Sequence, residues 1–237
     1  MNDYDIFAKF YDTAMGERTT VIELLQKAIR ENTPRAKNIL ELGCGTGAIL
    51  KHFAKDRNVY GLDLSKGMLA VARKEIPQAK LYQQNMVNFR LKEKFDVIYS
   101  VFDSINHVLI FNDWKKIFAN AHKHLSDGGI FVFDINTQSK LKEICFYPPE
   151  VHKLGDDYFI LKVRDTGKGI VNWNVKFFVH EKADQYRLMQ ENIREISFPA
   201  DRVKAALLDI FRSVTIIDTD RKRPSKHSER LYFICKK

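Results

Sequence analysis

Seven residues, Glu41-Leu42-Gly43-Cys44-Gly45-Thr46-Gly47, join an acid to three alternating glycines directly after the apolar stretch Ile39-Leu40. Glycine adopts positive φ at little cost and lets a ligand lie against the backbone. The helix expected next, carrying Ala48, Ile49, Leu50 and Phe53, would offer unpaired N–H groups and a partial positive charge to a carboxylate or phosphate. Gly43-x-Gly45-x-x-Ala48 also satisfies the G-x-G-x-x-G/A pattern of dinucleotide sites. Asp63 closes a second apolar run, Val59-Tyr60-Gly61-Leu62, and would face the same crevice in a doubly wound sheet. A carboxylate there accepts hydrogen bonds from ribose hydroxyls; alternatively it caps the helix that begins near Ser65. Glycine turn and acid together point to an adenosine-type cofactor, with NAD and S-adenosylmethionine both open.

The elements around these residues alternate. A helix face recurs at Val21, Leu25 and Ala28 within residues 18–30, and Pro34 stops it. Strands are expected at 38–42, 59–63, 80–83, 95–102 and 130–135. Helices between them start at Ser65, acting as N-cap, and at Asn112. Strands separated by helices indicate βαβ units: an α/β fold with a doubly wound, mostly parallel, seven-stranded Rossmann-like sheet. After Pro148-Pro149 the pattern changes. Val171, Trp173, Val175, Phe177 and Val179 alternate with polar residues, and 158–163 and 187–196 read as neighbouring strands. Residues 145–197 are therefore expected to form a small antiparallel insertion within one domain spanning 1–237. Pro199 would then occupy the first turn of a helix, followed by strands at 214–217 and 231–235. The 237 residues suffice for a core without staples. Cys44, Cys145 and Cys235 lack metal-type spacing, so free thiols and no metal are expected. No apolar run reaches the roughly 20 residues of a membrane span, and the polar, acidic N-terminus is unlike a secretory signal, so a cytoplasmic location is expected.

The order of these blocks resembles the class I S-adenosylmethionine-dependent methyltransferases. The resemblance runs through Ile39-Leu40-Glu41-Leu42-Gly43-Cys44-Gly45-Thr46-Gly47, Gly61-Leu62-Asp63-Leu64-Ser65-x-x-Met68-Leu69, Asn85-Met86, Phe95-Asp96-Val97-Ile98 and Leu125-x-x-Gly128-Gly129. Phe10-Tyr11-Asp12, the 102–107 stretch and Glu229-Arg230-Leu231-Tyr232-Phe233 extend it to nearly the whole chain, in the manner of small bacterial enzymes such as the sugar N-methyltransferases. The resemblance implies S-adenosylmethionine as cofactor. It implies Gly43, Gly45 and Gly47 under the methionine part, Glu41 near its amino end, Asp63 on the ribose, Leu64 and Met86 on the two adenine faces, and Asn85 on the adenine amine. The family usually has Asp where Asn85 stands; Asn85 as a plain turn residue is the alternative. Phe102 would sit beside the transferable methyl.

Methyl transfer from a sulfonium needs alignment and exclusion of water, and a base only when the nucleophile arrives protonated. Tyr11 and His107 are the candidate catalytic residues. The alternatives are Tyr11 packing beside Phe7 and Phe10, and His107 as a solvated loop histidine. The aromatic-rich insertion, with Tyr158, Phe159, Trp173, Phe177 and Phe178, is expected to form a lid and acceptor pocket, with scaffold or dimer contact as the alternative. The expected activity is methyl transfer to a nitrogen or oxygen of a small molecule by a monomer or homodimer. An RNA or tRNA acceptor, suggested by the net charge of +9 and the basic run at 221–226, is disfavoured because no N-P-P-[YF] tetrad follows the fourth strand. A non-catalytic S-adenosylmethionine-binding regulator would carry the same glycines and acid.

Overall fold

The computed structural model describes residues 8, 11–16, 18–221 and 223–237, so Phe7, Phe10 and Lys222 lie outside the described residues. Seven strands form one sheet: β1 (Asn38–Leu42), β2 (Asn58–Asp63), β3 (Lys80–Gln83), β4 (Phe95–Ser100), β5 (Leu125–Asn136), β10 (Ser213–Ile217) and β11 (Arg230–Lys236). Their spatial order is β10-β11-β5-β4-β1-β2-β3. Neighbours from β3 to β5 run parallel, while β11 is antiparallel to both β5 and β10. The side on which successive strands are added reverses between β1 and β4, where a doubly wound sheet opens its crevice.

Burial on both faces explains the near-continuous apolar strands. In β5 every residue from Ile130 to Asn136 is buried. Phe131 and Phe133 face one side, against Trp114, Ile117 and Phe118 of α4 (Phe111–His124) and Val203 and Leu207 of α6 (Ala200–Leu208). Ile130 and Val132 face the other, with Val21, Leu25 and Ile29 of α2 (Thr19–Asn32). The helix α3 (Lys66–Glu75) has the expected cap: Ser65 Oγ accepts from the Met68 N–H at 3.0 Å.

Four local expectations fail. The helix expected after the glycine turn is only a single 3-10 turn, Leu50–Phe53. Gly45 (φ +51°) and Gly47 (φ +78°) hold left-handed backbone that a helix cannot include, so no helix N-terminus follows the glycine turn directly. The helix α4 begins at Phe111 after Ile110, with no side-chain cap from Asn112. Pro199 precedes α6 in extended backbone (ψ 132°) instead of lying in its first turn. The fourth strand stops at Ser100, because Phe102 and Asp103 both turn left-handed.

The remaining strands, β6 (Glu150–Leu154), β7 (Asp157–Asp165), β8 (Ile170–Lys182) and β9 (Gln185–Ile196), form a separate antiparallel sheet in sequential order. It is preceded by the short α5 (Gln138–Ile144); α5 and β6 carry no clear periodicity in the sequence. The sheet's apolar face centres on Phe159, Val175, Phe177 and Ile193, with Tyr11 packed against it. Val163 and Val171 pack onto Leu141 and Ile144 of α5, and Trp173 bridges the two clusters. Among the described residues no helix is long and apolar enough to cross a membrane, and all three cysteines are free.

Candidate active site

The crevice at the carboxyl ends of β1, β2 and β4 holds a cavity of about 370 Å³. It is lined by Gly43 and Gly45, by Asp63 and Leu64, by Asn85 and Met86, and by His107 and Arg194. The turn is built in advance of any ligand. The N–H groups of Gly43 and Cys44 donate to Leu62 O at 2.8 and 3.0 Å, and that of Gly45 to Asp63 Oδ2 at 2.9 Å. Gly43 (φ +73°) is also confined sterically, since an added Cβ would lie 3.0 Å from Ser104 Cβ and 3.2 Å from Met86 Cε.

Asp63 accepts a second backbone hydrogen bond at Oδ1, from Ser65 N–H at 2.8 Å. Each oxygen thus keeps a further lone pair for a ligand. Burial pushes this carboxyl up, and the backbone donors of Ser65 and Gly45 pull it back. Leu64 stands half exposed at the rim. Asn85 uses Oδ1 to accept Val87 N–H at 2.9 Å, a local turn that fixes its side chain. Gly47 does not line the cavity. Its missing Cβ would sit 2.7 Å from Ile76 Cδ1, so its function is close packing beneath the turn.

At the other end of the glycine turn, a small cleft is lined by Tyr11, Arg18, Glu41, Phe102 and Ser104. Glu41 accepts from Tyr99 Oη–H at 3.1 Å, and burial raises its carboxyl well above the usual range. Arg18 pairs with Asp12 at 2.8 Å, and its guanidinium lies 5.6 Å from the Tyr11 ring centre and 5.7 Å from that of Phe102. Burial also drives the Tyr11 phenol upward, which keeps it protonated and makes it a hydrogen-bond donor, not a base.

Phe102 (φ +57°) and Asp103 (φ +51°) are consecutive non-glycine residues in left-handed backbone, a conformation costing about 1–3 kcal/mol each that persists only where surroundings enforce it. A buried polar cluster does so. Asp103 N–H donates to Asp134 Oδ1 at 3.1 Å, and Arg230 donates to Asp103 Oδ1 at 2.6 Å and to Asp134 Oδ2. The cluster continues to the inserted sheet. Asn136 donates to Glu195 Oε2 at 3.2 Å, while Asn106 donates to Asn136 O at 3.0 Å and to Ile196 O at 2.8 Å. Asp103, His107 and Glu195 bring one donor atom each within 4.8 Å of one another. Of the three, Asp103 is already paired with the Arg230 guanidinium. His107 Nδ1 lies 3.1 Å from Arg194 O; a carbonyl only accepts, so Nδ1 carries the proton and the neutral ring keeps its lone pair on Nε2.

The structure therefore gathers Tyr11, Gly43, Gly45, Asp63, Leu64, Asn85, Met86, Phe102 and His107 around one cavity, with Glu41 in the adjoining cleft. None of the five insertion aromatics singled out in the sequence lines that cavity; the insertion contributes Ile193 and Arg194 instead. Arg18, Ser104 and the Arg230 cluster have no local sequence signal, because their partners lie far along the chain.

A parallel sheet that opens at its switch point beside a glycine turn and an acid at the end of the second strand defines a nucleoside-cofactor protein of the doubly wound class. Comparison narrows this. Residues 39–129 match the family described as a methyltransferase domain. A putative methyltransferase of Geobacillus sp. (strain WCH70) is 29% identical over 99% of both chains. A dTDP-3-amino-3,4,6-trideoxy-alpha-D-glucopyranose N,N-dimethyltransferase of Streptomyces venezuelae is 34% identical over 55% of each. The crystal structure of an S-adenosylmethionine-dependent methyltransferase from Clostridium acetobutylicum superposes with a TM-score of 0.86 at 25% identity, covering 99% of both chains. The chain is an S-adenosylmethionine-dependent methyltransferase, and S-adenosylmethionine is its cofactor.

Proposed function

We propose that the enzyme methylates an amino nitrogen of a small molecule that enters between His107 and β9. The observation that carries this reading is a single cavity lined both by the acid and apolar residues suited to adenosine, Asp63, Leu64 and Met86, and by His107, Ile193 and Arg194. Amino-sugar N-methyltransferases among the relatives make an amine on a sugar the first acceptor class to test.

In this reading the second lone pairs of Asp63 hold the ribose hydroxyls, Leu64 and Met86 flank the adenine, and Asn85 Oδ1 accepts from its amine. Arg18 faces the methionine carboxylate and Glu41 the amino group. Bound S-adenosylmethionine supplies an activated methyl on a sulfonium, lost in a one-step displacement. The residues align the nucleophile and exclude water. Tyr11 donates a hydrogen bond at the junction of cavity and cleft. His107 Nε2 takes a proton from an ammonium that arrives charged. The sheet 150–196 closes the acceptor side through Ile193 and Arg194.

The test is a panel of small amines, amino sugars and tRNA assayed for release of S-adenosylhomocysteine, with wild type beside His107→Gln. Turnover of an amine, lost at lower pH more steeply in the variant, supports the reading. Turnover with tRNA and none with any small amine refutes it.

A further inference from the structure

The inserted sheet has a second face, of which the methyltransferase reading uses only Arg194. Strand pairing sets it out in rows across β7, β8 and β9. Arg164, Asn172 and Arg194 form the first row; Lys162, Asn174 and Asn192 the second; Lys176 stands between Ile160 and Gln190 in the third. Further along come Tyr158, Phe178 and Leu188, then His180 beside Tyr186. Lys153 of β6 adds a fifth Lys or Arg, 6.0 Å above the Tyr158 ring.

No Asp or Glu occupies this face of the four strands, since their acids alternate to the other side. Among the described residues none of the five cations, Lys153, Lys162, Arg164, Lys176 and Arg194, is in an ion pair. Asn172 and Asn174 both donate to Asn192 Oδ1, at 3.0 and 2.9 Å, which fixes a band of amides across the middle. The Tyr158 and Tyr186 rings stand 5.9 Å apart, and Tyr186 is 41% exposed.

We infer that this face binds single-stranded nucleic acid. Uncompensated cations track a phosphate backbone, aromatic faces take stacked bases, and amides read base edges; a sheet carrying all three is a platform for an unpaired strand. Arg194 belongs both to this face and to the cavity rim, so a strand crossing the sheet ends at the mouth of the site. The inference concerns binding and does not depend on which acceptor is methylated.

The experiment is fluorescence anisotropy of labelled 12-nucleotide oligouridylate and oligothymidylate with the full-length chain across a salt series. Five phosphate contacts give a slope of log K against log salt of about −3.5, at roughly −0.7 per contact. Arg164→Gln with Lys176→Gln should flatten the slope by about 1.4 while leaving melting temperature and S-adenosylhomocysteine affinity unchanged. Tyr186→Ala should weaken binding several-fold with no change in slope. Binding of one oligonucleotide and not the other identifies RNA or DNA as the ligand; either supports the inference. Equal binding by the double variant, or competition by polyglutamate as effective as by the oligonucleotide, would overturn it.

Discussion

Replacing Asp63 with alanine removes the acceptor of two backbone hydrogen bonds and, in the proposed complex, two more to the ribose. Hydrogen bonds to a charged group contribute about 1.5–3 kcal/mol each. The crevice is open to water, so the lower figure applies, and two bonds give about 3 kcal/mol. That corresponds to roughly 100-fold weaker cofactor affinity. Part of the loss comes through Gly45, whose N–H would no longer be anchored and whose turn would lose its preset shape. Titration calorimetry with S-adenosylhomocysteine measures the affinity, and a thermal melt on the same sample separates loss of contact from loss of fold. A folded Asp63→Ala variant that binds within threefold of wild type would refute the assignment of Asp63 to the ribose.

Gly47→Ala must place a Cβ 2.7 Å from Ile76 Cδ1 at φ +78°; strain of about 1–3 kcal/mol should lower the melting temperature by several degrees. Arg18→Met should weaken cofactor binding measured by calorimetry about tenfold, with an unchanged melting temperature, since its partner Asp12 is half exposed and Tyr11 and Phe102 line the cleft. Burial raises Asp134 from 3.8 to about 6 despite Arg230. The folded state therefore holds this proton more tightly, so its contribution is complete below pH 3.8 and is lost as pH rises to about 6. Melting curves of Asp134→Asn across that window should lack this part of the slope. Trp173→Ala, which empties the bridge between two clusters, should cost about 3–5 kcal/mol in chemical denaturation without altering any cavity wall.

The sheet was legible because burial on both faces forces apolar runs, and those runs end at residues whose chemistry repeats, Gly43 and Asp63 above all. What the sequence concealed depends on distance. Arg18 reads as the start of an amphipathic helix until the fold brings it to the cleft with Glu41. The Phe102-Asp103 corner looks like the end of a strand, because its left-handed backbone is imposed by Asp134 and Arg230 and not by its own residue types. Local propensity likewise suggested a helix after Gly47, where packing against Ile76 and Ala72 leaves space only for a tight turn. In the insertion, alternation gives the two faces but not their neighbours, so the pocket expectation takes in Phe159, Trp173 and Phe177, which form its core, and Tyr158 and Phe178, which lie on its other face.

The antiparallel partner of β5 is β11, with Asn136 opposite Arg230. During synthesis, an apolar strand containing Ile130-Phe131-Val132-Phe133 must therefore wait about a hundred residues for its neighbour, roughly 5–20 s at ordinary elongation rates. An unpaired edge of that composition invites pairing with another chain. Asp134 stands in the middle of it with no cation until Arg230 is made, and a charge at that point discourages a foreign strand from adding there. The same carboxylate that later fixes the corner beside the cofactor thus protects the nascent sheet while its last strand is still missing.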